Sequence, residues 1–324
     1  MSVTALIKLL ADGHCHSGEA LGKALGVTRA AIWKQLKQLE SWDLAIESVK
    51  GSGYRLSEPL ILLDANCITS HLNSDAAAKL AALDVFDRID STNNYLLEAA
   101  RNGAASGSVI IAEQQLAGRG RRGRVWQSPF ARNLYVSVLW RFDSGVAALE
   151  GLSLAVGVML VEALQDFGIA GLSLKWPNDV LFNGKKLGGI LVEMTGDMSG
   201  SCAAVIGFGI NVNMSKPLGA AIDQPWIDLA TINGSSIDRN QLMSVILNHL
   251  LPGLSRFAQS GFSAFQQQWQ NHDAFYGADV AVYQGDSVLV GKACGIAGNG
   301  GLKIATLTGE HIVTGGEVSL RAVL

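Results

Sequence analysis

Residues 109–126 read VIIAEQQLAGRGRRGRVW, and this stretch decides how the central part of the chain folds. An apolar run typical of a buried strand ends at two glutamines and passes directly into Gly118–Arg124, where four arginines alternate with three glycines. Glycine allows positive φ and a close approach of the backbone to a ligand. Guanidinium groups bind carboxylate and phosphate oxygens in pairs. The stretch therefore predicts a strand that carries a loop for small anions.

The composition limits the class of protein. The chain has 324 residues, of which 48% are hydrophobic and 16% charged, with a net charge of −3. These values indicate two or three globular domains with buried cores and exclude extensive disorder. The apolar runs are too short to cross a bilayer, and the N-terminus lacks the apolar region of a signal peptide. We therefore expect a cytoplasmic protein with no membrane association.

The cysteines are Cys15, Cys67, Cys202 and Cys294, and no two of them form a CxxC pair. This spacing is typical of reduced thiols in a cytoplasmic protein. His14 and His16 flank Cys15, but no second cluster of ligand residues accompanies them. We therefore expect no metal site built from a protein cluster.

The N-terminal segment alternates short helices with turns. Thr4–Leu10 predicts a first helix, and a second helix ends at Gly26, a residue suited to the left-handed C-terminal position. Thr28 is placed to cap a third helix, Arg29–Ser41, whose apolar residues keep helical spacing. Residues 46–56, IESVKGSGYRL, then predict two short strands around a glycine turn. This order is that of a winged helix-turn-helix domain.

In a helix-turn-helix domain the recognition helix, here the third, enters the major groove of DNA. A single short recognition helix binds weakly, so DNA binding implies a dimer. The alternative is a small helical module for protein contacts whose charges are solvated, and Trp33 is either a core or an exposed residue. The candidate DNA-binding residues are Thr28, Arg29, Ala31, Lys34 and Gln35 on the helix and Lys50, Tyr54 and Arg55 on the hairpin.

From about Ile68 the pattern becomes mixed α/β. A helix is expected at Ala76–Leu83 and a long buried helix at Leu152–Phe167, and many strands are sequence neighbours, as in antiparallel sheets. Polar residues fall at the ends of several predicted strands, and a fold can bring strand ends together at one rim. Each alone has an ordinary structural interpretation, but together beside the arginine-glycine loop they indicate a site. They are Ser91, Thr92, Gln115, Arg119, Arg121, Arg124, Lys175, Asn178, Asp179, Lys186 and Asn211.

The C-terminal segment consists of short alternating runs separated by glycine turns. From about Phe275 it contains no helical pattern, which predicts a small SH3-like β-barrel. The expected domains are therefore a winged helix-turn-helix at 1–63, a catalytic domain at 68–273 and a C-terminal β domain at 274–324. The fold class is multidomain α+β.

Four segments of the chain, in this order, resemble the biotin protein ligases. They are DSTNNYL (90–96), GRGRRGRVWQSPFARNLYVSV (118–138), KWPNDVLFNGKKLGGILVE (175–193) and GFGINVN (207–213). GGEVSLR at 315–321 is similar to the family's C-terminal end. With the winged helix-turn-helix, the resemblance covers nearly the whole chain and is to the bifunctional form, the biotin ligase that is also the biotin operon repressor. It implies a central domain of the class II synthetase type.

The resemblance implies a reaction in two steps. Biotin reacts with ATP, accompanied by Mg²⁺, to give biotinyl-5′-adenylate, and biotin is then transferred to a lysine of the biotin carboxyl carrier protein of acetyl-CoA carboxylase. It also implies that the adenylate-bound homodimer binds operator DNA and represses biotin synthesis genes. We expect the arginine-glycine loop to order when ligand arrives, and Leu191–Thr195 to be an edge strand available for dimerisation.

The resemblance also implies roles for individual residues. Arg121 and Lys186 are the expected catalytic residues, since fixed cations offset the repulsion between a carboxylate and a polyphosphate. Mg²⁺ is expected to arrive with ATP near Asp179. The biotin-binding candidates are Ser91, Thr92, Asn93, Gln115, Gly118, Arg119, Gly120, Arg121 and Lys186. The ATP- and adenylate-binding candidates are Arg121, Arg124, Trp126, Asn178, Asp179 and Asn211.

The chain departs from the family pattern at a few positions. Val313 and Thr314 stand where bifunctional members can carry an aromatic residue that stacks on adenine, and Asn94 stands where a glutamine is often found. Lys175 is expected to steer either the acceptor lysine or the phosphates. Two alternatives compete with the bifunctional ligase. One is a biotin-sensing repressor with weak or lost catalysis, and the other is a ligase for lipoate.

Overall fold

The computed structural model of the protein describes residues 3–42, 44–143, 145, 149–196, 202–214, 216–314 and 318–322. Within these ranges the chain forms ten α-helices and fourteen β-strands. None of the helices in the described ranges is both long and apolar enough to cross a bilayer. Gly315–Glu317 of the family-like C-terminal segment lie outside the described residues.

The N-terminal residues form the predicted winged helix-turn-helix. The Ser17 side chain accepts from the backbone N–H of Ala20, Gly26 ends the second helix at φ 64°, and the Thr28 hydroxyl accepts from the N–H of Ala31. Caps of this kind satisfy backbone groups that a short helix leaves unpaired. The elements are α1 (Val3–Leu10), α2 (Gly18–Leu25), α3 (Arg29–Glu40), β1 (Ile46–Val49) and β2 (Gly53–Leu56).

The central domain is built on a mixed sheet of seven strands among the described residues. The strand order is β3-β4-β5-β9-β8-β7-β6, with β3 and β4 parallel and the other pairs antiparallel. This confirms the mixed α/β expectation. The strands are β3 (Ala82–Ile89), β4 (Ser108–Gln115), β5 (Leu134–Phe142), β6 (Leu172–Lys175), β7 (Asp179–Phe182), β8 (Lys185–Gly196) and β9 (Cys202–Ile210).

Helices pack against this sheet and against each other. The helices of the central part are α4 (Ala65–Ser70), α5 (Ser74–Lys79), α6 (Thr92–Arg101), α7 (Leu152–Asp166), α8 (Leu229–Asn233), α9 (Arg239–Ser260) and α10 (Gln266–Asn271). The helix predicted at Ala76–Leu83 is wrong in its second half. Ala82 and Leu83 belong to β3, where they pair with Ser108 and Val109, so sheet pairing overrides the local helical pattern.

The C-terminal strands form a separate antiparallel sheet in the order β13-β12-β11-β10-β14. This confirms the expected small β domain. Val313 and Leu320 are buried in a hydrophobic core that this sheet shares with the central domain, and Leu320 also lines the cavity of the central domain. The strands are β10 (Asp279–Gln284), β11 (Ser287–Ile296), β12 (Leu302–Thr306), β13 (Gly309–Val313) and β14 (Val318–Ala322).

The helix-turn-helix domain is docked against the central domain. Phe130, from the central domain, belongs to the hydrophobic core of the N-terminal residues, and its ring centroid is 5.3 Å from that of Trp42. The guanidinium of Arg88, which is also in the central domain, lies 4.5 Å from the centroid of the Trp42 ring. Arg132 and Glu58 form an ion pair of 2.8 Å. The segment that follows the arginine-glycine loop is thus part of the interface.

The linker between the two domains is fixed by a buried ion pair. Arg239 Nη1 is 2.6 Å from Glu113 Oε2, and both side chains are at most 2% exposed. Arg239 also donates to the carbonyl of Ile61, while Glu113 accepts from the N–H of Leu63 at 2.6 Å. Asn240 donates to the carbonyl of Leu62 at 2.9 Å. Residues 61–63 are therefore held by side chains of the central domain.

Candidate functional site

The predicted polar residues come together at one rim of the seven-stranded sheet. They line a cavity of about 350 Å³, together with glycines and aromatic residues. All the strand-end residues singled out above contribute to its lining: Ser91, Thr92, Gln115, Arg119, Arg121, Arg124, Lys175, Asn178, Asp179, Lys186 and Asn211. Asn93, Gly120 and Trp126 line it as well. Gly118 does not.

One part of the cavity carries neutral polar groups at the start of α6. Gln115 Oε1 accepts from the N–H and the hydroxyl of Thr92, at 2.9 and 3.1 Å. Ser137, which is fully buried in β5, contacts the Thr92 hydroxyl at 2.7 Å. Ser91 caps α6, because its hydroxyl accepts from the N–H of Asn94. The strand β4, the helix α6 and the strand β5 thus fix these groups together.

Asn93 is held by the protein itself. Its side chain contacts Ser137 Oγ at 2.5 Å and donates to Glu193 at 2.8 Å and to the carbonyl of Leu191 at 3.3 Å. Gly207 faces it, and a Cβ there would lie 2.8 Å from Asn93 Cγ. The side chain therefore ties α6 to β8, and its predicted contact with biotin stays a prediction.

The arginine-glycine loop is a closed hairpin in this structure. The N–H of Gly120 donates to the carbonyl of Arg124 at 2.7 Å, and the N–H of Trp126 donates to the carbonyl of Gly118 at 2.9 Å. Arg122 and Gly123 turn the chain with φ of 59° and 69°. Gly118 is needed where the two arms approach, since a Cβ would lie 2.7 Å from the carbonyl oxygen of Trp126. Its observed role is in this backbone contact.

Arg121 lies in the second part of the cavity. Its Nη1 donates to Asn178 Oδ1 at 3.0 Å, and Asn178 Nδ2 in turn donates to the carbonyl of Ile190 at 2.8 Å. Burial lowers the pKa of Arg121, a shift that Asp179 opposes and Arg122 increases. A guanidinium that has lost part of its hydration gains more from an anion, so this position suits a ligand with negative charge.

Lys186 lies near Arg121, since Asp179 interacts with both side chains. Its ammonium is 2.8 Å from Asp179 Oδ1 and 5.5 Å from the centroid of the Trp126 ring. The indole lies across two glycines of the sheet, because a Cβ at Gly189 would be 3.3 Å from Trp126 Cζ3 and one at Gly209 only 2.6 Å from Nε1. The glycines of β8 and β9 therefore form the surface on which the indole rests.

Lys175 completes the group of cations. Burial lowers the pKa of Lys175, and its cationic neighbours Lys186, Arg321 and Arg124 lower it further against the opposing effect of Asp179. Its ammonium also lies 5.7 Å from the centroid of the Phe275 ring. Three cations therefore act on Lys175 against a single carboxylate, an arrangement that a bound polyanion would stabilise.

Arg119 has a different environment from Arg121. It donates to Glu193 Oε1 at 3.2 Å and hydrogen-bonds to Asn94 Oδ1. Asn94, the departure from the family pattern, thus has a contact in the structure. The structure does not pair Arg119 with the groups that hold Arg121, and the expectation that both face the same carboxylate and phosphate stays a prediction.

Asn211 is buried and holds the end of β8 in place. Its amide donates to the carbonyls of Ile227 and Lys186, at 3.1 and 3.5 Å. The loop before Ile227 also lines the cavity and was not singled out by the sequence. The N–H of Lys186 donates to the carbonyl of Pro225 at 2.9 Å. The missed lining residues include Ala221, Ile222, Asp223, Gln224, Trp226 and, from the C-terminal domain, Leu320.

The site does not contain a preformed metal cage. Among the described residues, no group of three or more histidine, cysteine, aspartate or glutamate side chains could hold a metal ion. Asp179 lines the cavity but pairs with Lys186. Mg²⁺ commonly uses one or two protein carboxylates together with substrate phosphates, so Asp179 fits an ion that arrives with a nucleotide.

The second candidate region is the outer surface of α3 and the wing. Thr28, Arg29 and Lys34 are exposed, whereas Ala31 and Gln35 are half-buried at the side of the helix. In the wing, Lys50 is exposed, Arg55 pairs with Glu47 at 2.7 Å, and the backbone of Tyr54 bonds to that of His16. Trp33 is 57% exposed, so it is an exposed residue and not a core residue.

Comparisons with known proteins identify all three parts of the chain. A model of the biotin/lipoate A/B protein ligase family matches residues 85–211, an HTH domain matches residues 3–55, and a biotin protein ligase C-terminal domain matches residues 277–321. The bifunctional ligase/repressor BirA of Salmonella typhimurium is 43% identical over 98% of this chain and 97% of that protein. The protein of the same name from Escherichia coli is 41% identical over 98% and 96%.

A solved structure shares the fold over three quarters of this chain. The biotin protein ligase from Aquifex aeolicus in complex with biotin and ATP aligns with a TM-score of 0.65 and 30% identity, covering 75% of this chain and 100% of that one.

Proposed function

This chain belongs to the family of bifunctional biotin ligase/repressors, and from this premise we propose a specific chemistry for its cavity. Biotin and ATP react to give biotinyl-5′-adenylate and pyrophosphate. The amine of a lysine on the biotin carboxyl carrier protein of acetyl-CoA carboxylase then attacks the activated carbonyl. A C–N bond forms, the bond from the carbonyl carbon to the phosphate oxygen breaks, AMP leaves and the amine loses a proton.

The observation that carries the proposal is the division of one cavity into a neutral polar part and a cationic part. The neutral part, with Ser91, Thr92 and Gln115, offers uncharged donors and acceptors. The ureido ring of biotin is uncharged and polar, and it needs hydrogen-bond partners when it is buried. We assign this part to the ring of biotin, with Asn93, Arg119 and Gly120 as further biotin-binding residues, and Gly118 acts through the backbone of the loop that carries Arg119 and Gly120.

The cationic part is suited to the first step. That step brings a carboxylate against the α-phosphate of ATP, and two anions repel each other unless fixed cations lie between them. Arg121 is held by Asn178, and Lys186 is held by Asp179, so both cations are oriented before ligand binds. Removing one preorganised group that stabilises transition-state charge typically costs about 3–4 kcal/mol in the barrier. Arg121 and Lys186 are therefore the proposed catalytic residues.

The nucleotide lies, in this proposal, against the cations and the indole. Arg124 and Lys175 face the phosphates, and Trp126 packs near the nucleotide, with Asn178, Asp179 and Asn211 around it. The depressed pKa of Lys175 supports this assignment, since a polyanion relieves the repulsion among its cationic neighbours. Mg²⁺ binds with ATP near Asp179. Val313 supplies no aromatic ring to stack on adenine, because it is aliphatic and is buried in the hydrophobic core that the C-terminal and central parts share.

Repression follows from dimerisation of the adenylate-bound protein on operator DNA of biotin synthesis genes. β8 pairs with β9 from Gly188 to Gly196, but its recorded pairing with β7 ends at Gly189. Within the described residues, Leu191–Thr195 therefore has no strand partner on this side, although the Leu191 carbonyl accepts from Asn93, and an edge of this kind can pair with a second copy. Ordering of the arginine-glycine loop by adenylate would favour the dimer by about 1–3 kcal/mol.

Location and domain limits belong to the same proposal. None of the four cysteines, all within the described ranges, forms a disulfide, which supports a cytoplasmic location. The proposed domains are 1–63, 68–273 and 274–324. The compact helix-turn-helix core and the separate C-terminal sheet support these limits.

The ligase is tested by incubating the full chain with ATP, Mg²⁺, labelled biotin and a carrier domain. We expect label on the carrier lysine with the wild type and a loss of at least a hundredfold with Arg121→Ala. Arg101→Ala removes the same charge from the exposed end of α6, outside the cavity, and is the matched control. No transfer by a folded wild type that binds biotin would favour the sensor-only repressor, and transfer of lipoate instead would favour the lipoate ligase.

A further inference from the structure

Trp33 is the exposed aromatic residue of the third helix. It is 57% exposed, and it is not part of the hydrophobic core that Ile32, Leu36 and Leu39 form with the rest of the domain. Burial of a tryptophan side chain is strongly favourable, so an exposed indole in the middle of a short helix loses a stabilising contribution in the free protein. The indole also lies on the proposed recognition helix, and this position together with its exposure points to a partner.

The surroundings of Trp33 define the chemistry of that partner. Between Glu19 and Glu40 the chain carries four basic residues and no acidic one. Arg29 and Lys37 are one turn before and one turn after Trp33, on the same row of the helix. The Lys37 ammonium is 6.0 Å from the centroid of the indole. An apolar ring bordered by cations is complementary to a surface with apolar groups between negative charges.

The major groove of DNA is such a surface. It is bordered by phosphates, and the thymine C5-methyl is the apolar group that its base edges present. We propose that Trp33 contacts a thymine methyl group when α3 lies in the major groove, and that it sets a preference for thymine at that position. This inference rests on the proposed DNA-binding function of the N-terminal domain and deepens it.

The competing occupant is a second copy of the chain. A protein surface that covers an indole between Arg29 and Lys37 needs acidic groups at matching positions. In a symmetric contact between two copies of α3, the partner helix supplies only Glu40 at its C-terminal end, and this carboxylate pairs with Lys37 at 3.0 Å. Charge complementarity thus favours DNA.

The experiment uses the full chain with biotin and ATP, and double-stranded DNA selected by the wild type from a random library. Each thymine of the selected half-site is replaced in turn by deoxyuridine, which lacks the methyl group, and binding is followed by fluorescence anisotropy. For the wild type we expect one position at which uracil weakens binding about fourfold, the effect of one buried methylene-sized group. Trp33→Ala should bind the thymine and uracil DNAs equally.

Two controls separate this contact from other effects. Tyr276→Ala removes an aromatic ring that is 68% exposed on the C-terminal domain, and it should keep the wild-type difference. Lys34→Ala should reduce the slope of log K against log salt by about one, whereas Trp33→Ala should leave the slope unchanged, because an indole releases no counterions. Thermal unfolding checks that each variant is folded.

The outcomes that overturn the inference are distinct. A wild type that selects DNA but shows no thymine preference refutes it, as does a Trp33→Ala variant that keeps the preference. A change in the monomer–dimer constant of Trp33→Ala with an unchanged preference for thymine assigns the residue to a protein contact instead. A wild type that selects no DNA refutes the proposed DNA-binding function itself, and the inference with it.

Discussion

Gly209→Ala tests whether the indole of Trp126 must rest on the sheet for the cavity to work. Gly209 lies in β9, and a Cβ at this position would be 2.6 Å from both Cζ2 and Nε1 of Trp126 and closer still to Cε2. Ordinary contacts of a Cβ begin at 3.4 Å, so the rigid ring must withdraw by about 1 Å. Inserting a methyl group into a packed contact typically costs about 1–3 kcal/mol.

The open cavity determines whether this cost lowers stability or activity. Trp126 is only half-buried, so its ring can move away from β9 into the cavity instead of straining the core. The displaced ring would then occupy space beside Lys186, whose ammonium now lies 5.5 Å from its centroid. We therefore expect little change in the free energy of unfolding. Adenylate formation should fall about ten- to hundredfold, the equivalent of about 1.4–2.7 kcal/mol in the barrier.

The assay is release of pyrophosphate from ATP in the presence of biotin, with unfolding in urea as the stability control. Gly298→Ala is the matched substitution, because a Cβ there has no neighbour within 4 Å. The decisive comparison is the double variant Gly209→Ala/Trp126→Ala. With the ring removed, the added methyl should have almost no further effect. Effects of the two substitutions that add within about 0.5 kcal/mol would refute the steric argument.

Three further predictions concern neighbouring contacts. Asn178→Ala removes the acceptor that holds Arg121 at 3.0 Å, and it should lower kcat for adenylate formation about tenfold; an unchanged kcat with a raised KM would contradict this. Burial lowers the pKa of Lys175 below its ordinary 10.5, and phosphates favour its charged form. ATP binding should therefore be accompanied by proton uptake at pH values between the lowered pKa and 10.5. Calorimetry in buffers of different ionisation enthalpy measures this uptake. Proton release, or uptake that persists in Lys175→Met, would contradict the prediction. Glu113→Ala leaves the guanidinium of Arg239 buried without its carboxylate and should destabilise the fold by about 3–5 kcal/mol in urea unfolding, and a loss below 1 kcal/mol would show that the ion pair is unimportant.

Features that depend on neighbours in sequence could be predicted well. The cap at Thr28 and the left-handed Gly26 are decided within a few residues, and both are observed. The helix predicted through Leu83 failed because the competing interaction, pairing with Val109, comes from a distant strand. Local patterns contain no information about such a partner.

The same division applies to the candidate site. Motifs identified which polar residues line the cavity, because strand ends in a sheet meet at one rim. They could not show that Arg119 contacts Glu193 while Arg121 contacts Asn178, since those partners are 57 or more positions away in sequence. Ile222 and Leu320 were missed because apolar lining residues have no sequence pattern that distinguishes them from core residues.

The buried fastening of residues 61–63 by Arg239 and Glu113 has a consequence for the geometry of DNA recognition. With a flexible linker, the helix-turn-helix domain of each subunit could reach its half-site independently, so that the separation between half-sites could vary. A clamped linker makes the angle of α3 to the central sheet a fixed property of each subunit. In the proposed dimer the protein alone then sets the rotation between the two half-sites about the DNA axis. Inserting one base pair between them, a rotation of about 34°, would prevent one of the two helix-turn-helix domains from binding its half-site.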